Sequence, residues 1–275
     1  MKKFLLSLSL VCILGTCSFA AVKPARIGVL APIGQDEKDI IKWSENVAEA
    51  EGKSRMFKNH NVIVIYDDLN SMIMALKAGQ IDRFSTTSYT AEYITSRHPE
   101  FELIDNNHNP IIGYSLAIRE EDRKQLMGIN LEINDMRADG TLERLIRENI
   151  INLGDKEPIA YDMPKIDGAD VLRVAVTGDL PPMDCILADG RPAGFNTAFL
   201  AELSRRIKKN FELVSISAGA RQTAISSGRV DILFWTRGVY NSKREPLPYP
   251  LDKTVGVSIS QPYLLGSRTA VSLRK

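Results

Sequence analysis

The side chains able to do chemistry are few, and their spacing suits recognition better than catalysis. Asp67 and Asp68 are adjacent, and adjacent strand residues face opposite sides, so they do not form an acid–base pair. His60, His98 and His108 are scattered, and no Cys-x-x-Cys or His/Cys cluster offers a metal ligand set. There is no Gly-x-Ser-x-Gly, no phosphate-binding loop and no dinucleotide fingerprint. These residues predict a protein that is not an enzyme and that carries no metal or other cofactor. Two polar clusters remain, Trp235-Thr236-Arg237-Gly238 and Asn241-Ser242-Lys243-Arg244. A guanidinium fork matches two carboxylate oxygens. Asn241 is a good N-cap, so a helix starting there would present Arg244 and free amides to an anion.

Such groups need a scaffold, and the sequence spells out an α/β one. Arg26 to Ala31 reads as a buried strand, Asp36 to Gly52 as a helix, and Asn61 to Tyr66 as a β-branched strand. Leu69 to Ala78 reads as a helix stopped by Gly79, and Gln80 to Ser85 as a further strand. This alternation predicts a parallel α/β layer. Ile111 to Arg119 alternates as a strand, and Glu121 to Asn149 is helical with a break at Ala138-Asp139-Gly140. Residues 151–170 hold Gly154, Pro158, Pro164 and Gly168 and form the linker candidate. The theme then repeats. Val171 to Val176 is a strand, Thr197 to Lys208 an amphipathic helix, Phe211 to Ile216 a strand, Ala220 to Ser227 a short helix, and Gly228 to Phe234 a strand.

An internal repeat links the halves. Ala75 to Asp82 (ALKAGQID) parallels Ala224 to Asp231 (AISSGRVD). Each is a helix closed by a left-handed glycine, followed by an aspartate expected to bond local backbone amides. Two copies at one spacing predict two related lobes.

The first residues give the compartment. Lys2-Lys3, the apolar run Phe4 to Leu14 and Ser18-Phe19-Ala20 make a secretory signal peptide over residues 1–20, cleaved before Ala21. Leu14-Gly15-Thr16-Cys17 also resembles a lipidation signal, which would anchor the chain at Cys17. Cleavage leaves one cysteine, Cys185, so a hydrophobic core rather than a disulfide holds the fold. The expected location is periplasmic or extracellular. The mature length of about 255 residues suits one large or two medium domains. A net charge of +1 gives no reason to expect nucleic acid or an anionic membrane as partner.

Residues 170–275 resemble the first lobe of the bacterial family 3 extracellular solute-binding proteins, the polar amino-acid receptors of ABC importers. The resemblance rests on Val171 to Val176, Pro181-Pro182, Gly194-Phe195-Asn196, Gly228 to Asp231, Asn241 to Arg244 and Ser260-Gln261-Pro262-Tyr263. Residues 26–150 resemble the same family's second lobe, through Ile27 to Leu30, Gly79 to Asp82, Ala91-Glu92-Tyr93, Tyr114 to Arg119, Ile129-Asn130 and Asp139-Gly140-Thr141. The resemblance implies a two-lobed, type II-like Venus-flytrap fold with the lobes in inverted order. The second-lobe-like region would be 21–150, the linker 151–170 and the first-lobe-like region 171–275. That order fits a circular permutant or, alternatively, a fragment of a tandem array.

The resemblance also implies a function and a site. The function is capture of a small polar, carboxylate-bearing molecule for the permease of an ABC importer, by a monomer. Arg244 matches the family's carboxylate clamp, with one extra residue before it, and Arg237 stands where it would replace or supplement that clamp. Thr236, Gly238, Trp235, Thr177 and Met183 complete the first-lobe set. Gly34, Gln35 and Thr87 are the second-lobe positions. Thr87 stands where the family places an aspartate for the ligand's ammonium, and a hydroxyl does not balance a cation. A carboxylate ligand without an amine, or a ligand-poor two-lobed interaction or signalling module, therefore stays open.

Overall fold

The computed structural model describes residues 24–52, 61–104 and 110–274. The proposed signal peptide, His60 and His108 lie outside the described residues.

Residues 24–104 form β1 (Arg26–Leu30), α1 (Glu37–Ala50), β2 (Val62–Tyr66), α2 (Leu69–Lys77), β3 (Arg83–Thr87), α3 (Ser88–Arg97) and β4 (Phe101–Ile104). The helix starts follow from capping chemistry. Asp36 and Asp39 form a reciprocal capping box at α1, and Asp68 accepts from Ser71 N at α2. Next come β5 (Ile111–Arg119), α4 (Arg123–Ala138) and α5 (Thr141–Ile146), the break between the helices falling at Gly140 with φ +79°. After the linker stand β6 (Val171–Val176), β7 (Asp179–Leu180), β8 (Asp184–Ile186), β9 (Pro192–Ala193), α6 (Phe195–Ile207) and β10 (Asn210–Ser215). The remaining elements are α7 (Arg221–Ser226), β11 (Ile232–Tyr240), β12 (Val257–Ile259) and β13 (Leu264–Leu273).

The main sheet divides into two halves built on one plan. One half runs β2-β1-β3-β13-β4 and the other β10-β6-β11-β5-β12. In each, three parallel strands are followed by one antiparallel strand that arrives from the other half. β5 and β13 are these crossing strands, and they pair with each other through Tyr114↔Leu264 to Ile111↔Ser267. The sheets therefore do not divide at the linker. Residues 111–119 join the half made by 171–259, and the second part of β13 joins the half made by 26–104.

The repeat has a structural basis that differs from the expected local turn. Asp82 accepts from Arg26 N, Nε and Nη2 at 2.7, 3.2 and 2.9 Å. Asp231 accepts from the same three atoms of Arg173 at 2.8, 3.0 and 3.0 Å. In both lobes the aspartate ties the incoming third strand to the first strand, because the intervening helix returns the chain beside it.

The apolar faces close the core. Ile129, Ile133 and Met136 of α4 and Leu142 and Leu145 of α5 are buried, and these helices pack on α6 in the half made by 171–259. Phe199 stacks on Tyr263 at 4.6 Å, and Tyr263 lies 5.0 Å from Phe234, joining α6 and β11 to the residue that precedes β13.

Candidate functional site

The parallel strands of both halves end at one seam. The carboxyl ends of strands in open α/β sheets are where ligands bind, since the chain turns away there and leaves a crevice. A cavity of about 40 Å³ lies in this seam. Leu30, Ser85, Thr86 and Thr87 come from one half; Thr177, Leu180, Ala218, Arg221, Trp235 and Arg237 come from the other. The crossing strands supply Tyr114 and Arg268.

Three arginines dominate its electrostatics. Arg237 makes a bidentate pair with Asp252, Nε to Oδ2 at 2.8 Å and Nη2 to Oδ1 at 2.9 Å. Burial opposes the Arg237 cation, but Asp252 outweighs it and raises the group above its ordinary value. Arg221 is 4% exposed and donates to the carbonyls of Ala218, Trp235 and Ala31 at 2.9, 2.8 and 2.9 Å, with Asp252 3.6 Å away. Arg268 donates to Ser85 Oγ and Ser85 O at 3.0 and 3.3 Å. Burial lowers Arg221 and Arg268 to about 10, and the Arg237 charge adds to the effect at both, while Asp252 opposes it at Arg221.

Local backbone geometry aims the aromatic wall. The ladder between β11 and β5 slips between Leu233 and Thr236, and Trp235 sits in the slip with φ +68°. A bulge re-aims a side chain, and a strained φ costs about 1–3 kcal/mol, held here by surrounding bonds. Trp235 O accepts from Arg221, and its Nε1 donates to Asp184 at 3.3 Å. Its ring meets Tyr114 edge-on at 4.7 Å.

The two halves also bond directly. Ile33 N donates to Asp252 Oδ1 at 2.7 Å, Lys253 N to Ile33 O at 2.8 Å, and Leu69 N to Asp179 Oδ2 at 2.8 Å. Trp43 Nε1 reaches Tyr249 O at 2.9 Å, Gly219 N reaches Asp67 Oδ1 at 3.2 Å, and Gln35 Nε2 donates to Leu251 O.

Residues 172–247 match the family of bacterial extracellular solute-binding proteins, family 3. The chain has a mixed α/β architecture, and within it that stretch carries the sequence pattern of a family of binding proteins. No curated protein matches the sequence. Among solved structures, the chain is similar to the ligand-binding component of an ABC-type import system from Staphylococcus aureus with zinc bound. The identity there is 12%, with 90% of this chain and 65% of that chain covered and a TM-score of 0.41. It is also similar to the GluR0 ligand-binding core in complex with L-glutamate, at 11% identity, 93% and 86% coverage and TM-score 0.38. The methionine-binding protein MetQ is similar at 10% identity, 91% and 83% coverage and TM-score 0.41.

The positions implied by the resemblance fall in three groups. Trp235, Arg237, Thr177 and Thr87 line the cavity, Thr87 also capping α3 through Thr90 N at 3.0 Å. Gly34 and Gln35 lie in the seam beside it, against Lys253 and Leu251. Met183, Thr236, Gly238 and Arg244 are not part of its lining. Met183 is fully buried, and Gly238 lies under the Tyr240 ring.

Arg244 is the main correction. The expected helix at Asn241 does not form. Asn241 Oδ1 instead accepts from Lys243 N and Glu245 N, closing a tight turn in which Arg244 is exposed with φ +64°. β11 also continues past Thr236-Arg237-Gly238 to Tyr240, paired with β5. The longer strand carries Arg244 away from the seam and leaves Arg237 in it. Arg244→Ala is therefore expected to leave ligand affinity within twofold of the parent by calorimetry; a loss of tenfold or more would return the clamp to Arg244.

Arg221, Arg268, Asp252 and Tyr114 were not singled out by sequence. For Arg221 a signal existed. It shares a helical face with Ala224 and Ile225, so a charge stands where the pattern calls for an apolar residue.

Proposed function

We propose that this chain is an exported solute-binding protein that closes its two lobes around a small anionic solute and presents it to the permease of an ABC importer. The observation that carries the reading is the arginine-lined cavity at the seam, walled by both halves and by both crossing strands. A site shared by two lobes and crossed by two strands is the arrangement of hinge closure around a ligand. Export rests on the leader pattern at residues 2–20.

The proposed lobe order is that of a circular permutant. The packing of α4 and α5 on α6 supports one receptor rather than pieces of two. By register, Val271 and Gly28 both lie opposite Phe84 on its two sides, so β13 ends about 10 Å from where β1 begins, two strand spacings. A short connection there would restore the family's order.

The test is thermal shift with small-angle scattering over amino acids, dicarboxylates and inorganic oxyanions. A ligand at 100 times its Kd stabilises by about 2.7 kcal/mol. For a chain of this size that is about 5–10 °C. At least one class is expected to give a saturable shift and a smaller radius of gyration.

One observation favours a second reading. Asp252 joins the lobes by direct bonds to Ile33 N and Arg237 N, which suits a ligand-poor interaction module. No shift with any class, together with a closed scattering profile, would select that reading over solute capture.

A further inference from the structure

We infer that the solute is a compact dianionic oxyanion of the phosphate or sulfate class, held chiefly by Arg221 and Arg268. This rests on the solute-capture reading and specifies its ligand.

The first ground is charge. The lining has three cations, Arg221, Arg237 and Arg268, and no acid. Among the described residues only Asp252 pairs with any of them, fully with Arg237 and at 3.6 Å with Arg221. Asp184 stands behind the wall, accepting from Thr177 N, Thr177 Oγ1 and Trp235 Nε1. Asp179 accepts from Leu69 N. With the one negative charge of Asp252 shared by Arg237 and Arg221, the three arginines keep a net excess of two positive charges. Buried charge is costly unless compensated, so a site that keeps such an excess is shaped for an anion of matching charge.

The second ground is what the lining omits. An amino acid brings an ammonium, which needs a carboxylate or an array of acceptors. Here the remaining polar groups are the hydroxyls of Ser85, Thr86, Thr87, Thr177 and Tyr114 and the Trp235 indole N–H, which donates to Asp184, and Ser85 Oγ already accepts from Arg268. Cations and hydroxyls are the donors an oxyanion uses.

The third ground is size. A cavity of about 40 Å³ holds about three waters on the measure by which one water needs some 10–15 Å³. Three waters take up about 90 Å³ in the liquid, at about 30 Å³ each, which is room for one central atom with four oxygens bonded tightly around it. A dicarboxylate carries two charges as well, but spreads them along a carbon chain.

Calorimetry with inorganic phosphate, sulfate, glutamate and succinate, on the parent and on Arg268→Met, tests the inference. The parent is expected to bind phosphate or sulfate saturably and the two dicarboxylates at least tenfold more weakly. Arg268→Met is expected to lose 30-fold or more in oxyanion affinity. Because it removes a half-buried cation with no acid partner among the described residues, it is also expected to melt at or above the parent's temperature without ligand, a result that separates lost recognition from lost folding. General salting effects of these anions act on both proteins alike, so only the difference counts. Tighter binding of glutamate or succinate than of either oxyanion would overturn the dianion assignment and keep solute capture. Equal oxyanion binding by Arg268→Met would overturn the role of Arg268. No saturable heat from any probe would overturn this inference; if no member of the wider panel shifts the melting temperature either, solute capture falls with it.

Discussion

Asp252→Asn is expected to lower stability by about 3–5 kcal/mol, the usual cost of removing one partner of a buried ion pair. That is about 6–20 °C in melting temperature for a chain of this length. The carboxylate is 1% exposed and has no slack for an amide. Oδ1 accepts from Ile33 N at 2.7 Å and Oδ2 from Arg237 N at 2.8 Å. Whichever way the amide turns, its NH2 faces a backbone N–H. The substitution also strips Arg237, and the nearby Arg221, of the only acid among the described residues in contact with either. Because Ile33 belongs to one half and Arg237 to the other, closure should weaken along with stability. The pH profile gives an independent check. Burial pushes the Asp252 carboxyl up, but Arg237, Arg221 and the Ile33 N–H outweigh it and hold it below the ordinary range. A depressed carboxyl contributes stability that is present above its unfolded value, about 3.9, and is lost as pH falls through the folded value. The gap between parent and Asp252→Asn should thus stay constant from pH 7 to 5 and close only below about pH 4. A variant melting within 2 °C of the parent at pH 7 would contradict this account.

How far the molecule was legible in its sequence depends on the range of the interaction. Local periodicity placed Val171 to Val176 and Ile111 to Arg119 as strands with the observed bounds. The break at Gly140 was also readable, since a positive φ between two helical runs calls for glycine. The repeat pointed to two similar lobes, and the sheet halves share one strand order. Where long-range pairing decides, the reading fell short. Gln80 to Asp82 looked like a strand start but forms the turn that brings Asp82 back to Arg26, so β3 begins at Arg83. β11 runs on to Tyr240 because β5, over a hundred residues earlier, pairs with it. The site suffered most. Arg268 meets Thr87 in register only because β13 crosses into the other half, a fact with no local signature. Arg244 was carried over from a motif whose following helix is absent here. The sequence held the residue types of the proposed anion site, but long-range pairing decides which arginines line the cavity.

Gly34→Ala is expected to shift the closed form toward an open one by about 2–4 kcal/mol, some 30-fold or more. Gly34 has φ +65°, and a Cβ there would stand less than 3.0 Å from Lys253 O across the seam, closer than real Cβ atoms come. The obstacle is backbone, so no side-chain rotation relieves it. Relief means withdrawing the 249–253 segment, which breaks Lys253 N to Ile33 O and Ile33 N to Asp252. Each such bond contributes about 0.5–1.5 kcal/mol, and the left-handed alanine adds about 1–2 kcal/mol until the loop relaxes. The lobe cores are untouched, so circular dichroism should match the parent while the radius of gyration grows. Affinity should fall by the fraction of closed form lost, because a ligand that needs the closed state binds in proportion to its population. The contrast with Asp252→Asn is the useful part. That change should cost fold stability and closure together, whereas Gly34→Ala should cost closure first. An unchanged scattering profile with unchanged affinity would mean that the seam at Gly34 does not govern closure, and the hinge reading of β5 and β13 would lose its support.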